Sequence, residues 1–177
     1  AHFNYLLPFF KDSRYIRVDD KPVFCIYRPA LFPNFNATIA LWQGMALKHG
    51  FQLYICKFET GGEWGKKYMP TSADAAIEFQ PINKEGWDRK YAFKQKIWKH
   101  LFKKEKFSSI YPYDKYVDFQ IHKPIFTEYK RYPSVCPSWD NASRRQKQPF
   151  SCFKNASPEL FGKWFEPVSY THLTLPT

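Results

Sequence analysis

The segment from Trp139 to Arg145 carries the densest group of chemically useful side chains in the sequence. Trp139 offers a flat stacking face, and Asp140 and Asn141 can accept hydrogen bonds from hydroxyl groups. Arg144 and Arg145 can hold a phosphate or a carboxylate through paired hydrogen bonds. This combination suits a glycan or a sugar phosphate. The alternative is a turn that Asp140 or Asn141 caps, with both arginines in solvent.

Further charged residues fall at the ends of predicted strands, where Arg28 and Glu78 are the candidate substrate-binding residues. Asp74 and Glu78 lie on one face of their strand, about 13 Å apart. A glycosidase carboxylate pair is separated by only about 5–9.5 Å, so these two are not a catalytic pair. Glu78 either binds sugar hydroxyls or forms a structural ion pair, and both interpretations stay open. We assign no catalytic residue.

Alternating sequence patterns predict the elements that position these side chains. Four β-prone runs cover 23–27, 51–58, 74–79 and 132–139. Helical spacing occurs over 37–49 and 85–106, a last helix begins at Ser157, and 116–129 fits either a helix or irregular structure. Strands that alternate with helices favour parallel βαβ units, and no glycine-rich nucleotide motif follows any strand. We therefore predict a partial (β/α)8 TIM-type barrel with about four parallel strands and crossover helices.

Charge and composition limit the partners. Lysine and arginine number 27 against 16 acidic residues, for a net charge of +11, and aromatic residues reach 20%. The basic stretch 90–106 is either a solvated helix face or a surface that attracts lipid phosphates, an anionic glycan or nucleic acid. No nucleic-acid motif accompanies it, so we expect no nucleic acid as a partner.

Neither a cofactor nor a metal is expected. The four cysteines, at 25, 56, 136 and 152, form no C-x-x-C pair and lie at no zinc-like spacing from histidine. Cys25, Cys56 and Cys136 fall within short apolar or β-prone runs, where a buried free thiol is expected, and a reducing cytoplasm fits best. No apolar run approaches the ~18 residues of a membrane span, so no transmembrane segment is expected.

Four blocks of the sequence resemble, in order, the WbsX-like glycosyltransferase family, which is also described as glycoside hydrolase family 99-like. The blocks are FKDSRYIRVDDKPVFCIYRP (10–29), DAAIEFQP (74–81), YPSVCPSWDNASRR (132–145) and ASPELFGKWF (156–165). The resemblance implies a (β/α)8 barrel that works on bacterial cell-surface polysaccharide such as the O-antigen of lipopolysaccharide or capsule. It implies a glycan or sugar-phosphate substrate and an anionic lipid-linked acceptor. Asp20 stands where the family often has glycine, which makes a left-handed turn there less favourable.

The resemblance carries no catalytic residue onto this chain. The family's N-E-x-W element would precede Ala1, and its W-N-E-W-x-E-G element, with the catalytic glutamates, would follow Pro167. An interior fragment that is inactive by itself is therefore expected. The matching positions that can bind substrate are Arg28, Glu78, Trp139, Asp140, Asn141 and Arg145. Three hypotheses stay open: a glycosyltransferase, a retaining glycoside hydrolase of the family 99 type, and a non-catalytic basic glycan-binding module.

The last ten residues, VSYTHLTLPT (168–177), resemble a translated sequencing adapter. Their composition departs abruptly from the lysine- and aromatic-rich sequence before them. We expect 1–167 to belong to a single barrel domain, and 168–177 to be a non-native tail with few contacts to it. The alternative is an ordinary β-prone C-terminal tail.

Overall fold

The computed structural model describes residues 1–60, 63–81, 97, 109–124, 128–144 and 150–174, and of these Ser109 and residues 171–174 are described by their backbone alone. Within these residues the chain forms two compact units. The first comprises Ala1–Phe79 and Phe126–Tyr132, and the second comprises Gln80–Ile125 and Pro133–Thr177.

The first unit is built on a curled, half-barrel sheet of mixed strand direction. Its elements are α1 (His2–Lys11), β1 (Arg17–Val18), β2 (Lys21–Ile26), α2 (Phe35–Leu47), β3 (Tyr54–Phe58), β4 (Ala75–Ile77) and β6 (Arg131–Tyr132). The strand order is β1-β2-β3-β4-β6. Strand β1 pairs antiparallel with β2, and the other described pairings are parallel. A mixed α/β sheet of this kind is consistent with the predicted partial barrel.

Both helices of the first unit cover one face of this sheet. Phe3 and Phe10 of α1 and Ile39 of α2 pack with Ile26 and Ile55 of the strands in one buried cluster. Complete burial of each such side chain stabilises the fold by about 1.5–3 kcal/mol. Successive strand residues point to opposite faces, so residues next to Ile26 and Ile55 lie on the face that these helices leave uncovered.

Local signals fix where the elements begin and end. The Asn34 side chain caps α2 by accepting from Ala37 N at 3.0 Å. Gly50 follows the helix at φ +83°, the left-handed conformation expected at a C-terminal cap. Between β1 and β2, Asp19 (φ 50°) and Asp20 (φ 59°) are both left-handed. Such a pair makes the two-residue hairpin turn that follows strand twist, so Asp20 adopts the left-handed turn that was expected to be less favourable for aspartate than for glycine.

The second unit contains β5 (Ser109–Pro112), α3 (Tyr113–His122), β7 (Ser151–Lys154) and α4 (Pro158–Thr174). Strands β5 and β7 pair in parallel as a two-stranded sheet. Tyr113 and Tyr116 of α3 pack with Trp164 of α4 in a buried cluster. The Ser157 hydroxyl accepts from Leu160 N at 3.3 Å at the start of α4, as its sequence predicts.

Several predicted elements differ from the observed ones. The strand predicted over 132–139 is wrong for most of its length: β6 ends at Tyr132, because Pro133 and Pro137 lack the N–H that a strand ladder needs. The open segment 116–129 contains the end of α3, which stops before Pro124. The helices over 37–49 and from Ser157 are confirmed as α2 and α4. Of the basic helix predicted over 85–106, only Ile97 lies within the described residues, and it is helical.

The C-terminal residues continue the last helix. Helix α4 runs through Thr174, and Val168 packs against the buried cluster of the second unit. That 168–177 is non-native remains a prediction.

Candidate site at the carboxyl ends of the parallel strands

Two sets of side chains lie at the carboxyl ends of β2, β3 and β4, one on each face of the sheet. They lie on opposite faces because successive strand residues point alternately to the two sides. The in-register pairs are Ile26 with Lys57 and Phe58 with Ile77. Lys57, Glu59 and Glu78 therefore lie on the face that α1 and α2 cover, and the aromatic residues that alternate with them lie on the other face. In parallel sheets, ligand sites form at this edge.

On the helix-covered face, two carboxylates converge on one guanidinium. Arg131 donates from Nε to Glu59 Oε2 at 2.8 Å, and its Nη2 lies 2.7 Å from the same oxygen and 3.5 Å from Glu78 Oε1. Glu59 and Glu78 are only 3% and 2% exposed. Charges removed from water to this degree persist only when they are paired.

Lys57 is buried beside this ion pair and holds a loop. Its side chain is 1% exposed. Its Nζ donates to the backbone carbonyls of Glu63 at 2.9 Å and Tyr68 at 2.8 Å. Burial lowers the pKa of the Lys57 ammonium, and nearby Glu59 partly opposes that shift. The lysine therefore fixes the segment 63–69 over the end of β3.

Tyr129 extends the same network. Its hydroxyl donates to Glu59 Oε1 and accepts from Gly65 N at 2.9 Å. Burial raises the pKa of Tyr129, and the hydrogen bond to Glu59 adds to the shift. Together Lys57, Glu59, Tyr129 and Arg131 attach 63–69 and 129–131 to the strand ends. These contacts are positioning contacts: they set backbone geometry around the edge of the sheet.

On the opposite face, an aromatic trio occupies the same edge. Tyr27, Phe58 and Phe79 follow or end β2, β3 and β4 respectively, and their rings meet edge to face. The centroid of Tyr27 lies 5.4 Å from that of Phe79, and Phe58 and Phe79 are 5.9 Å apart. Tyr27 remains 48% exposed. The Thr60 hydroxyl donates to Tyr27 O at 3.0 Å and fixes its backbone.

An exposed arginine, Arg28, lies on this side of the edge. Its guanidinium carbon lies 5.6 Å from the centroid of the Tyr27 ring. The residue is exposed, and in the described part of the chain no carboxylate pairs with it. Its backbone is held because Leu31 N donates to Arg28 O at 3.2 Å and Pro29 is buried.

In the second unit, Trp139, Asp140 and Asn141 lie beside β7. Asp140 Oδ1 accepts from Ala142 N at 2.7 Å, and Asn141 Oδ1 accepts from Ser151 N at 2.8 Å. Trp139 packs partly buried against the cluster of that unit, and the Arg144 guanidinium lies 5.9 Å from its ring centroid. Both polar side chains therefore cap or tie backbone, as the capping alternative describes. Arg145 lies outside the described residues.

The candidate residues Arg28 and Glu78 lie near the same edge of the sheet but contact different side chains. Arg28 and Glu78 lie at the ends of β2 and β4, with β3 between them, but Arg28 lies on the Tyr27 ring and Glu78 faces Arg131. The ion pair of Glu78 matches its structural alternative, and a hydroxyl-binding role for it stays a prediction. Sequence reasoning placed Tyr27 at a strand end but did not select it. The sequence could have indicated this residue, because Tyr27, Phe58 and Phe79 are each the last residue of a β-prone run.

The remaining site chemistry is limited. Within the described residues, no three His, Cys, Asp or Glu side chains lie close enough together to hold a metal ion. All four cysteines are free thiols; Cys56 and Cys136 are buried as expected, whereas the prediction of a buried thiol at Cys25 is wrong, because Cys25 is exposed. None of the described helices is both long and apolar enough to cross a bilayer. Among the described residues, the edge of the sheet presents the exposed Tyr27 and Arg28 on one side and the buried ion pairs of Arg131 on the other.

The curled half-barrel sheet with its helices defines the mixed α/β class of fold, which is consistent with a partial α/β barrel. Within that class, the family described as Glycosyltransferase WbsX matches residues 1–174, and this chain belongs to that family. The resemblance seen in the sequence is thereby confirmed.

Two curated relatives share the name "Uncharacterized protein WxcX". They come from Xanthomonas campestris pv. campestris, strains B100 and ATCC 33913. Each is 24% identical to this chain over 164 residues, which is 93% of the chain and 22% of the relative. The chain thus spans about a fifth of the length of these relatives. No solved structure matches the chain.

Proposed function

We propose that this chain forms part of a carbohydrate-active enzyme that transfers glycosyl groups during assembly of bacterial cell-surface polysaccharide, such as O-antigen or capsule. The family match over residues 1–174 carries this proposal. The half-barrel sheet supports it, because a (β/α)8 enzyme would place its substrate at the carboxyl edge described above. The whole protein would work at the cytoplasmic side on an anionic lipid-linked acceptor.

In this proposal the chain supplies substrate contacts and no catalytic carboxylate. Arg28 has an unpaired guanidinium at the strand edge among the described residues, and Trp139 presents a partly buried ring. Asp140, Asn141 and Arg145 are proposed contacts to hydroxyls and phosphate within the second unit, and a contact from Glu78 would require its carboxylate to leave Arg131. The described glutamates at the strand ends, Glu59 and Glu78, face Arg131. The acid and base of the reaction would therefore come from other parts of the barrel.

Ligand-observed NMR on the 177-residue chain tests the proposal. Saturation-transfer spectra would be recorded with three panels: nucleotide sugars, oligosaccharides from bacterial surface polysaccharides, and single-stranded oligonucleotides. The oligonucleotides control for the net charge of +11, and each measurement is repeated at raised salt to screen surface electrostatics.

A glycosyltransferase predicts transfer of saturation to the sugar protons of nucleotide sugars, retained at raised salt. Binding to oligosaccharides without nucleotide sugars would favour the retaining hydrolase or the basic glycan-binding module instead. A hydrolase and a binding module would then be separated by cleavage of the same oligosaccharides by the full-length protein. Binding that disappears with salt for every polyanion, or no binding to any carbohydrate, would refute the proposed function.

A further inference from the structure

We propose that Tyr27, Arg28, Phe58 and Phe79 form a subsite for a sugar ring that carries an anionic group, a phosphate or a carboxylate. This inference rests on the proposed function and deepens it. It assigns one location in the fold, one charge class of ligand, and aromatic residues that the sequence did not select. Together these four residues form the aromatic-arginine subsite.

The three aromatic rings form a rigid and partly exposed surface, which is the first argument for the subsite. Three rings from the ends of three neighbouring strands meet edge to face on the side of the sheet that α1 and α2 leave uncovered. Edge-to-face packing fixes each ring against the next, so the surface is rigid before a ligand arrives. Tyr27 is 48% exposed, which leaves room for the flat apolar side of a sugar ring. The Tyr27 hydroxyl adds a polar group that can bond to a sugar hydroxyl.

The second argument is the charge of Arg28. Arg131 and Lys57 lie near the same edge, yet both are buried and engaged by carboxylates or carbonyls. Arg28 differs, because it is exposed and no described residue accepts a hydrogen bond from its guanidinium. A guanidinium presents two parallel N–H groups that match phosphate and carboxylate oxygens. A neutral sugar would leave that capacity unused.

The third argument is the rigidity of the Tyr27–Arg28 backbone. Thr60 is buried and its hydroxyl binds Tyr27 O, while Leu31 N binds Arg28 O. The ring and the cation are therefore held as one unit, with 5.6 Å between the guanidinium carbon and the ring centroid. A ligand that touches both must carry its anion close to its ring. Glycosyl phosphates and uronates both do so, and they are the two sources of this chemistry.

The experiment measures binding of glucose 1-phosphate, glucuronate, glucose and inorganic phosphate to the 177-residue chain at constant ionic strength. Variants R28Q and Y27A remove the cation and the exposed ring. Their matched controls are R14Q and Y5A, because Arg14 and Tyr5 are exposed residues of the same unit away from this edge. Circular dichroism verifies that each variant keeps the parent fold. Both test residues are exposed, so their replacement should not unfold the chain.

We expect R28Q to weaken binding of the anionic sugars about tenfold and to leave glucose unchanged, since a hydrogen bond to a charged group is worth at least about 1.4 kcal/mol. Y27A should weaken anionic and neutral sugars alike, and R14Q and Y5A should change neither. Tighter binding of glucose 1-phosphate than of glucuronate identifies a glycosyl phosphate as the source, and the reverse identifies a uronate.

Two results would overturn the subsite. One is inorganic phosphate binding as well as glucose 1-phosphate, because the ring would then contribute nothing. The other is anionic sugars binding equally to the parent, R28Q and Y27A, which places the site elsewhere while the proposed function stands. If no carbohydrate binds to the parent chain, both the subsite and the proposed function fail.

Discussion

Replacement of Lys57 by methionine tests whether the buried network positions the edge of the sheet. Methionine keeps a similar apolar stem and loses the two hydrogen bonds to Glu63 O and Tyr68 O. Two hydrogen bonds from a charged donor are worth about 3–6 kcal/mol together. Part of this is offset, because the variant no longer buries an ammonium. We expect the free energy of unfolding of the first unit to fall by about 2–4 kcal/mol.

K57M should lose order in the segment 63–69 as well as overall stability. Lys57 holds the backbone of 63–69, so the amides of that segment should exchange with deuterium faster in K57M, while those of α2 change only with the global stability. Hydrogen exchange with mass spectrometry measures both segments in one experiment, and urea unfolding gives the free energy. K48M is the matched control, because Lys48 is an exposed lysine of the same unit.

The pH dependence of the free energy of unfolding provides an independent test of the role of Lys57. Burial holds the pKa of Lys57 below its ordinary value of 10.5. Between its folded-state pKa and 10.5 the unfolded chain binds more protons, so the free energy of unfolding rises with pH in that window. The neutral amine keeps two N–H donors for its two carbonyls. Tyr129, whose pKa is raised, has the opposite effect above its ordinary value of 10.0, so the comparison is made below pH 10.

K57M should show a smaller rise with pH than the parent, because the lowered pKa of Cys25 adds a rise of its own in both proteins. The reasoning would be refuted if K57M unfolds at the same urea concentration as the parent and its 63–69 amides exchange no faster. A rise with pH that is equal in parent and variant would refute the assignment of that rise to Lys57.

Two further predictions concern the thiols and the C-terminus. A hydrogen bond from Cys56 lowers the pKa of the exposed Cys25 to about 7, so Cys25 should be modified first by a disulfide reagent, at half its maximal rate near pH 7. Peptide mapping measures this order, and prior modification of Cys152, whose pKa is raised by burial, would contradict it. Deletion of 169–177 should change the free energy of unfolding by less than about 0.5 kcal/mol, whereas Trp164→Ala, in the buried cluster, should cost about 3–5 kcal/mol. Equal losses in a urea titration would show that the last residues are part of the fold.

Local signals explain which elements were predictable. Helix α2 was expected over 37–49 and runs over Phe35–Leu47, because its apolar spacing, its N-terminal cap and Gly50 act within a few residues. The strands ending near Ile26, Phe58 and Ile77 followed from short β-prone runs. Strands β5 and β7 were missed, since each has four residues and they pair across about 40 positions. Helix α1 was missed because Pro8 lies inside it.

The site was predictable only in part for a similar reason. The alternation of side chains along β3 already predicts that Lys57 and Glu59 point to one face of the sheet and Phe58 to the other. It does not reveal that Arg131 lies 2.7 Å from Glu59, because this partner comes from a two-residue strand more than 70 positions later. Glu78 therefore read equally well as a sugar contact or as an ion-pair partner. Its geometry depends on a residue that no local pattern connects to it.

The two faces of the sheet differ in role at this edge. One face holds the buried residues that position the loop, and the other holds the residues proposed to bind a sugar. On the helix-covered face, Lys57 and Arg131 balance Glu59 and Glu78, so this buried group carries no net charge when all four are ionised. A neutral cluster exerts little long-range field, and its carboxylates are committed to Arg131. Among the described residues at this edge, the charge that a ligand meets on the other face then comes from Arg28 beside Tyr27. It follows that substitutions within the buried cluster should change stability and loop order, whereas those at Arg28 should change which sugars bind.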